Sequence, residues 1–189
     1  NKSNFFAFNL IDKWPKWEKN ILNIYGEKYC GKTHLSNIFK KKYKAFKIRA
    51  NEFNSNNLKE FKVFENLILE DFDESVDENL MYTLFNIADQ DNKFILINSL
   101  IPINQLNFKL NDFKSRAKNC LFAKIEKPDD ELIFAILLKN FSDRQITIEK
   151  KLIDFIIKHI DRSYGKIYEF IYKIDEISLK KKKSIDFKI

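Results

Sequence analysis

The feature that most constrains this sequence is an eight-residue segment with the pattern G-x-x-x-x-G-K-[ST], which begins at Gly26 and ends at Thr33. The chain has only 3 glycines in 189 residues, and two of them are in this segment. Such a loop needs backbone conformations that side chains disfavour, because successive N–H groups must point at one anion. The pattern predicts a phosphate-binding loop in which Lys32 reaches the outer phosphates of a nucleotide and the Thr33 hydroxyl helps to hold Mg²⁺. The predicted binding residues are Gly26, Glu27, Lys28, Tyr29, Cys30, Gly31, Lys32 and Thr33.

The residues on either side of this segment strengthen the prediction. Residues 21–25 are largely apolar and predict a short buried strand that leads into the loop. After the loop, apolar residues recur at the spacing of a helix whose N-terminus the loop would cap: Leu35, Ile38, Phe39 and Tyr43. A strand before and a helix after distinguish a nucleotide loop from a chance match in a turn.

Composition limits the class of protein. A chain of 189 residues with 44% hydrophobic content is large enough for one domain with an appended subdomain. We find no apolar run long enough to span a membrane and no signal peptide, and the two cysteines are isolated, so we expect a reducing, cytoplasmic setting. The net charge of +7 is weak evidence for DNA binding, because the whole chain is rich in the lysine, asparagine, isoleucine and phenylalanine that A/T-rich coding favours.

Two carboxylates follow a predicted buried strand at residues 67–69. Paired acids at the end of such a strand are costly unless a cation or a role in water activation accounts for them. Beside a phosphate loop, Glu70 best fits the magnesium position and Asp71 the position that orients the attacking water. The reverse assignment stays open because both residues are acidic, and so does a solvated acidic turn without a ligand.

The rest of the first two thirds of the chain completes an α/β pattern. Further strands are predicted at 45–48, 93–97 and 120–123, with a helix from Asp77 onward and a polar loop with at most one helical turn at 49–62. Five apolar strands that alternate with helices predict a doubly wound, parallel α/β sheet. If the first, third and fourth strands are neighbours, Asn98 lies beside the phosphate loop and could sense the terminal phosphate.

Both ends of the chain are predicted to be helical. Phe5, Phe8 (with Ala7), Ile11 and Trp14 recur at helical spacing until Pro15, and this helix either lines a base pocket or only packs against the core. The character changes at Pro128, so we predict a nucleotide-binding core at 1–127 and a helical subdomain at 128–189. Asp129 suits the start of its first helix, while Thr147 and Ser163 can cap the next two. His159 is assigned a packing or surface role, and Lys180 to Lys183 a solvated tail.

Several of these segments together resemble the AAA+ module of DnaA-like proteins. The resemblance rests on Gly31-Lys32-Thr33-His34-Leu35, Leu69-Glu70-Asp71, Ser115-Arg116 and Arg162-Ser163, in that order. The start of the chain is similar to Hda-type regulators, short DnaA relatives that switch the initiator off. It carries Ser3-Asn4, Ala7, Ile11, Trp14-Pro15 and Trp17.

This resemblance implies a five-stranded AAA+ P-loop core with a C-terminal three-helix lid, binding ATP or ADP with Mg²⁺. It adds His34 to the nucleotide site and makes Asn98 the first sensor and Arg162 the lid sensor. It also makes Arg116 an arginine finger that acts in trans on a neighbour's nucleotide. The residues themselves allow a simpler role, in which Arg116 pairs with Asp112 four residues earlier on the same helix.

The sequence also departs from the family pattern. It has no helix-turn-helix domain before Ile189, so we expect no specific DNA-binding domain, and a sliding-clamp peptide would have to lie outside the residues given. Glu70 replaces a more usual aspartate, which could weaken hydrolysis. Two functions remain: a regulator that stimulates ATP hydrolysis by DnaA, with possible self-association through the AAA+ interface, or an autonomous ATPase that resembles a helicase loader. The resting nucleotide, ATP or ADP, stays open.

Overall fold

The computed structural model describes residues 2–146 and 148–181. The chain forms two compact units, and the boundary falls between Ile125 and Glu126, two residues before the predicted one. Thr147, predicted as a helix cap, lies outside the described residues, as does Lys182–Lys183 of the predicted basic tail.

The first unit is built on a sheet of five parallel strands in the order β2-β3-β4-β1-β5. The strands are β1 (Ile21–Tyr25), β2 (Phe46–Arg49), β3 (Asn66–Phe72), β4 (Phe94–Ser99) and β5 (Leu121–Lys124). The three central strands are buried along nearly their whole length, which explains their continuous apolar runs. The prediction of a five-stranded parallel α/β sheet is confirmed, and β4 lies between β1 and β3.

Five α-helices belong to this unit. They are α1 (Phe5–Asp12), α2 (Lys32–Tyr43), α3 (Ser55–Val63), α4 (Glu78–Gln90) and α5 (Asn111–Lys118). The prediction of a loop at 49–62 is wrong, because α3 occupies most of that segment. Its N-terminus is closed by a capping box, in which Asn54 Oδ1 accepts from Asn56 N at 3.0 Å and Asn57 Oδ1 accepts from Asn54 N at 2.9 Å. Phe61 is the buried anchor of this polar helix.

Only part of the apolar set predicted for helix α1 is buried. Ala7 and Ile11 are buried, whereas Phe5 and Phe8 are 62% and 42% exposed. The phenylalanines therefore do not mark the side of α1 that faces the core. That side is formed by Ile11 and by Ala7, one turn before it. Trp17 stacks on Phe39 of α2, with ring centroids 5.6 Å apart, and this contact ties the segment after α1 to the helix that follows the phosphate loop.

In its described residues, 126–146 and 148–181, the second unit has three helices: α6 (Asp130–Asp143), α7 (Lys150–His159) and α8 (Tyr164–Lys181). Asp129 caps α6 by accepting from Leu132 N at 2.9 Å, as its position predicted. Apolar residues from all three helices form one core: Ile133, Leu137, Phe141, Leu152, Ile153, Ile156, Ile167 and Ile171. His159 is exposed and its ring lies against Phe155, consistent with the ordinary role assigned to it.

Of the helices in the part of the chain that the structure describes, none is both long enough and apolar enough to span a membrane.

Candidate functional site

The phosphate-binding loop joins β1 to α2, and its two glycines are needed for different reasons. Gly31, the N-cap of α2, has φ of +100°, a conformation that residues with a Cβ rarely adopt. At Gly26 the reason is space, because a Cβ would lie 3.1 Å from both Cys30 Sγ and the carbonyl oxygen of Ile125. These backbone conformations aim the loop at the N-terminus of α2, where N–H groups without helical partners favour an anion.

Lys32 is already directed at the loop. Its ammonium donates to the carbonyl oxygens of Gly26 at 2.7 Å and Glu27 at 2.9 Å, so the charge is held over the segment that would surround a phosphate. Cys30 forms part of the base of the loop. Burial raises the pKa of its thiol, although the nearby Lys32 charge opposes that shift. The Cys30 side chain is therefore a neutral packing group.

A cavity of about 650 Å³ opens beside the loop. Its lining combines residues of the loop with residues from the ends of β3 and β4: Lys28, Tyr29, Gly31, Lys32, Thr33, Asp71, Phe72, Asp73, Ser99 and Leu100. Ligands of open α/β sheets bind at the carboxyl ends of the strands, which is where this cavity lies. His34 is exposed on α2 and is not among the lining residues, so its assignment to the nucleotide site stays a prediction.

Glu70, near the end of β3, is not among the residues that line this cavity, but it borders a neighbouring opening of about 500 Å³ together with Thr33, Lys47 and Asp71, and it is held in a network of hydrogen bonds. Its Oε1 accepts from Ser36 Oγ at 2.8 Å and lies 2.7 Å from Lys47 Nζ. Its Oε2 accepts from Thr33 Oγ1 at 3.2 Å and from Asn98 Nδ2 at 2.9 Å. Burial alone would raise the pKa of Glu70, but the hydrogen bonds from Asn98, Lys47 and Ser36 and the charge of Lys47 together lower it. The carboxylate is therefore ionised at neutral pH.

These contacts weigh against direct coordination of magnesium by Glu70, whose assignment as a metal ligand stays a prediction. A carboxylate offers about four acceptor positions, and protein donors occupy all of them here. One of the donors is the ammonium of Lys47, which a second cation at the same oxygen would have to displace or repel. Thr33 keeps lone pairs on its hydroxyl and fits the magnesium role.

Asp71 follows Glu70 at an irregularity of β3, where the regular alternation of side chains along a strand is interrupted. It lines the cavity, its side chain is 76% exposed, and its backbone has φ of +53° where the β3–β4 register shifts. The sequence left open which of Glu70 and Asp71 takes the magnesium position and which the water position, and both assignments stay predictions. Of the two residues, Asp71 lines the cavity.

Asn98 is close to the loop, as predicted, and its role as a phosphate sensor stays a prediction. A phosphate oxygen needs a donor, and the two N–H bonds of the Asn98 amide are directed at Ser36 Oγ and Glu70 Oε2. The neighbouring Ser99 lines the cavity instead. Asn98 thus donates to Glu70, and Ser99, which the sequence indicated only as the start of a turn, lines the cavity.

Arg116 lies in the last turn of α5, directly before β5, at the amino edge of the sheet. The phosphate loop follows the carboxyl end of β1, so the length of a five-residue strand, about 15 Å at ~3.3 Å per residue, separates the two edges. Arg116 Nη1 pairs with Asp89 Oδ2 of α4 at 2.6 Å. The alternative partner considered from the sequence, Asp112, is not the partner found.

Arg162 belongs to the helical unit and lies two residues before α8. Its Nη2 is 2.9 Å from Asp130 Oδ1 at the start of α6, and both side chains are more than half exposed. An exposed pair of this kind is weak, so little free energy holds the guanidinium in place. Its role as a sensor stays a prediction.

Two residues of the Glu70 network were missed from the sequence. Ser36 follows Lys32 by four residues on α2, so helical spacing could have placed it on the same face. Lys47 carried no such signal. It lies on β2, and only the register of β2 against β3 brings it near Glu70.

A pH titration tests whether Glu70 is held as an ionised group. Because its folded-state pKa is lowered, Glu70 stabilises the fold above the pKa of the unfolded chain, and this contribution is lost as the pH falls through the folded-state value. We expect the unfolding midpoint of the parent to fall more steeply than that of Glu70→Gln between about pH 5 and pH 3. Thermal unfolding followed by circular dichroism measures this, and parallel curves for the two proteins would contradict it.

Comparison with known proteins identifies the class. No protein-family model matches the chain. The replication initiator DnaA of Borrelia hermsii is 31% identical over 85% of this chain, which spans 38% of that protein's length. Domain III of Thermotoga maritima DnaA covers the whole chain and is itself 89% covered, with a TM-score of 0.73 at 20% identity. The AMPPCP-bound DnaA of Aquifex aeolicus covers 94% of this chain and is 63% covered, with a TM-score of 0.70 at 18% identity.

The sheet order, the loop after β1 and the helical second unit define an AAA+ P-loop fold. The similarity in sequence narrows this further, and the chain is a DnaA-related AAA+ protein.

Proposed function

We propose that this chain is an adenine-nucleotide-binding regulator of chromosomal replication initiation. It acts in the cytoplasm on a DnaA-type initiator and stimulates ATP hydrolysis by that partner through Arg116, as Hda-type proteins do in regulatory inactivation. The observation that carries this proposal is the position of Arg116 at the edge of the sheet opposite its own phosphate loop.

Nucleotide binding is supported by the chemistry of the loop. Lys32, the backbone of Gly31 and the N-terminus of α2 converge on a cavity large enough for a nucleotide. The Aquifex aeolicus DnaA of the same fold was solved with AMPPCP, a triphosphate analogue. Thr33 is the group that would contact an accompanying Mg²⁺.

The regulatory role is supported by what Arg116 can and cannot reach. Its separation from the loop of its own chain prevents a role in cis, whereas a partially exposed guanidinium at an edge can enter a partner's site. The pair with Asp89 is partly solvated, so exchanging Asp89 for a partner's phosphate costs little. Self-association through the same edge, and contact with a sliding clamp through residues outside this chain, are further parts of the proposal.

A hydrolysis assay tests the function directly. The chain is mixed with ADP or ATP, clamp-loaded DNA and an ATP-loaded DnaA-type initiator, and ADP production is followed. We expect faster ADP production than with either protein alone. A chain that leaves the initiator's rate unchanged under these conditions would contradict the regulatory role.

The exposed Asp71 on the cavity wall favours a second candidate function, an autonomous ATPase that acts as a helicase-loader-like or DNA-associated replication factor. A carboxylate so placed could orient an attacking water. The turnover number of the isolated protein distinguishes the two functions. An autonomous ATPase must hydrolyse ATP by itself, whereas the regulator need not.

We expect Arg162→Ala to bind nucleotide more weakly and to lose discrimination between di- and triphosphate. A charge-assisted hydrogen bond to phosphate is worth about 1.5–3 kcal/mol, so loss of one predicts roughly tenfold weaker binding. Fluorescent-nucleotide titration measures this, with Lys158→Ala, an exposed cation on α7, as the control. Equal affinity and equal discrimination in Arg162→Ala and the parent would refute the sensor role.

A further inference from the structure

Lys47 is fixed beside Glu70 by the sheet and by a second contact. In the β2–β3 register Lys47 is opposite Ile68, two residues before Glu70, so the side chains of Lys47 and Glu70 lie on the same face as diagonal neighbours. The ammonium is 2.7 Å from Glu70 Oε1 and donates to Asn37 Oδ1 of α2, also at 2.7 Å. The Lys47 side chain is only 17% exposed, so this cation is built into the site rather than lying loosely over it.

The acidic end of β3 is balanced by cations from β2. Lys47 neutralises Glu70, and Arg49 Nε lies 4.0 Å from Asp71 Oδ2. The first pair is largely buried, whereas the second joins two exposed side chains and is weak, so the fixed cation is the one beside Glu70.

We propose that Lys47 takes the place of the divalent cation at Glu70, so that this chain binds nucleotide without requiring Mg²⁺. The inference rests on the proposed nucleotide-binding function. It concerns which group supplies the positive charge beside Glu70 in that site. The ammonium supplies one positive charge in a fixed position, while Lys32 and the N–H groups of the loop contact the phosphates. Such a site retains a nucleotide regardless of the metal and suits a protein that carries nucleotide rather than consuming it.

The test is the Mg²⁺ dependence of ADP binding, measured by calorimetry in excess Mg²⁺ and in excess EDTA. For the parent we expect the two dissociation constants to agree within about threefold. In Lys47→Met the carboxylate of Glu70 loses its fixed cation, and we expect affinity in EDTA to be about tenfold or more below that in Mg²⁺. Lys41→Met, at an exposed position of α2, is the matched control and should behave as the parent does.

Each other outcome is decisive. A parent that loses about tenfold or more of its affinity in EDTA overturns the inference, even if Lys47→Met does not fold. A folded Lys47→Met with the parent's indifference to Mg²⁺ also overturns it, because Lys47 is then not the substitute. If the folded parent binds ADP in neither buffer, the proposed nucleotide-binding function fails, and this inference fails with it.

Discussion

Replacing Arg116 with alanine is expected to abolish the stimulation of a DnaA-type initiator while leaving nucleotide binding by this chain unchanged. Hydrolysis develops negative charge on the transferred phosphoryl oxygens, and a guanidinium supplied by a neighbour stabilises it. Arginine fingers contribute on the order of 10³–10⁵ in rate in well-studied nucleotidases. The loss should therefore be far larger than the error of an assay that follows ADP production by the initiator.

The surroundings of Arg116 provide the controls. Lys118→Ala removes an exposed cation from the same last turn of α5 and should leave stimulation intact. Asp89→Asn removes the charge that pairs with Arg116 at 2.6 Å without removing the guanidinium, so stimulation should be kept or increased. Arg116→Ala should also retain the parent's affinity for ADP, because Arg116 is on the other edge of the sheet from the loop.

If Arg116→Ala stimulates the initiator as well as the parent does, the arginine-finger role is wrong. In that case the pair with Asp89 is only a surface contact between α5 and α4, and such pairs contribute at most about 1 kcal/mol. The autonomous ATPase would then be the better interpretation of the phosphate loop.

The second large effect is expected for Lys32→Ala, which should weaken binding of both ADP and ATP by about tenfold or more. The lysine supplies a charge-assisted contact worth about 1.5–3 kcal/mol. Its ammonium also holds the carbonyl oxygens of Gly26 and Glu27, so its removal leaves the loop less ordered before the nucleotide arrives. Isothermal calorimetry with each nucleotide measures the change.

A lysine on the same helix gives the comparison. Lys41 lies at an exposed position of α2. Lys41→Ala should bind nucleotide as the parent does, because it lowers the net charge by the same amount as Lys32→Ala without altering the loop. Unfolding midpoints of the two variants establish that the loss is not one of folding. If Lys32→Ala binds both nucleotides as tightly as the parent does, the segment from Gly26 to Thr33 is not a nucleotide-binding loop.

Predictions from the sequence succeeded where the signal is local. The strand before the loop and the helix after it follow from apolar spacing, and the acids at the end of β3 follow from a buried run that stops at a charge. Helix α3 was missed because its sequence is polar and only Phe61 anchors it, so the hydrophobic pattern is nearly absent. Its capping box at Asn54 and Asn57 was the available signal.

The contacts that define the roles of the site residues were not predictable in the same way. Arg116 pairs with Asp89 rather than Asp112, since the packing of α5 on α4 brings together residues 27 positions apart. Asn98 lies beside the phosphate loop, as the predicted strand order implied. Its amide donates to Ser36 and Glu70, and the direction of an amide group does not follow from the sequence.

The sequence by itself determined the phosphate loop, the parallel α/β core and the helical second unit, because glycine conformation, helix capping and apolar periodicity act over a few neighbouring residues. Only the tertiary structure decided which carboxylate faces the cavity and which is saturated. That decision depends on the register of β2 against β3, which places Lys47 beside Glu70, and on the packing of α2, which brings Thr33 and Ser36 to the same carboxylate. Charge balance in a buried site is set by groups distant in the chain, whose distances only the fold defines.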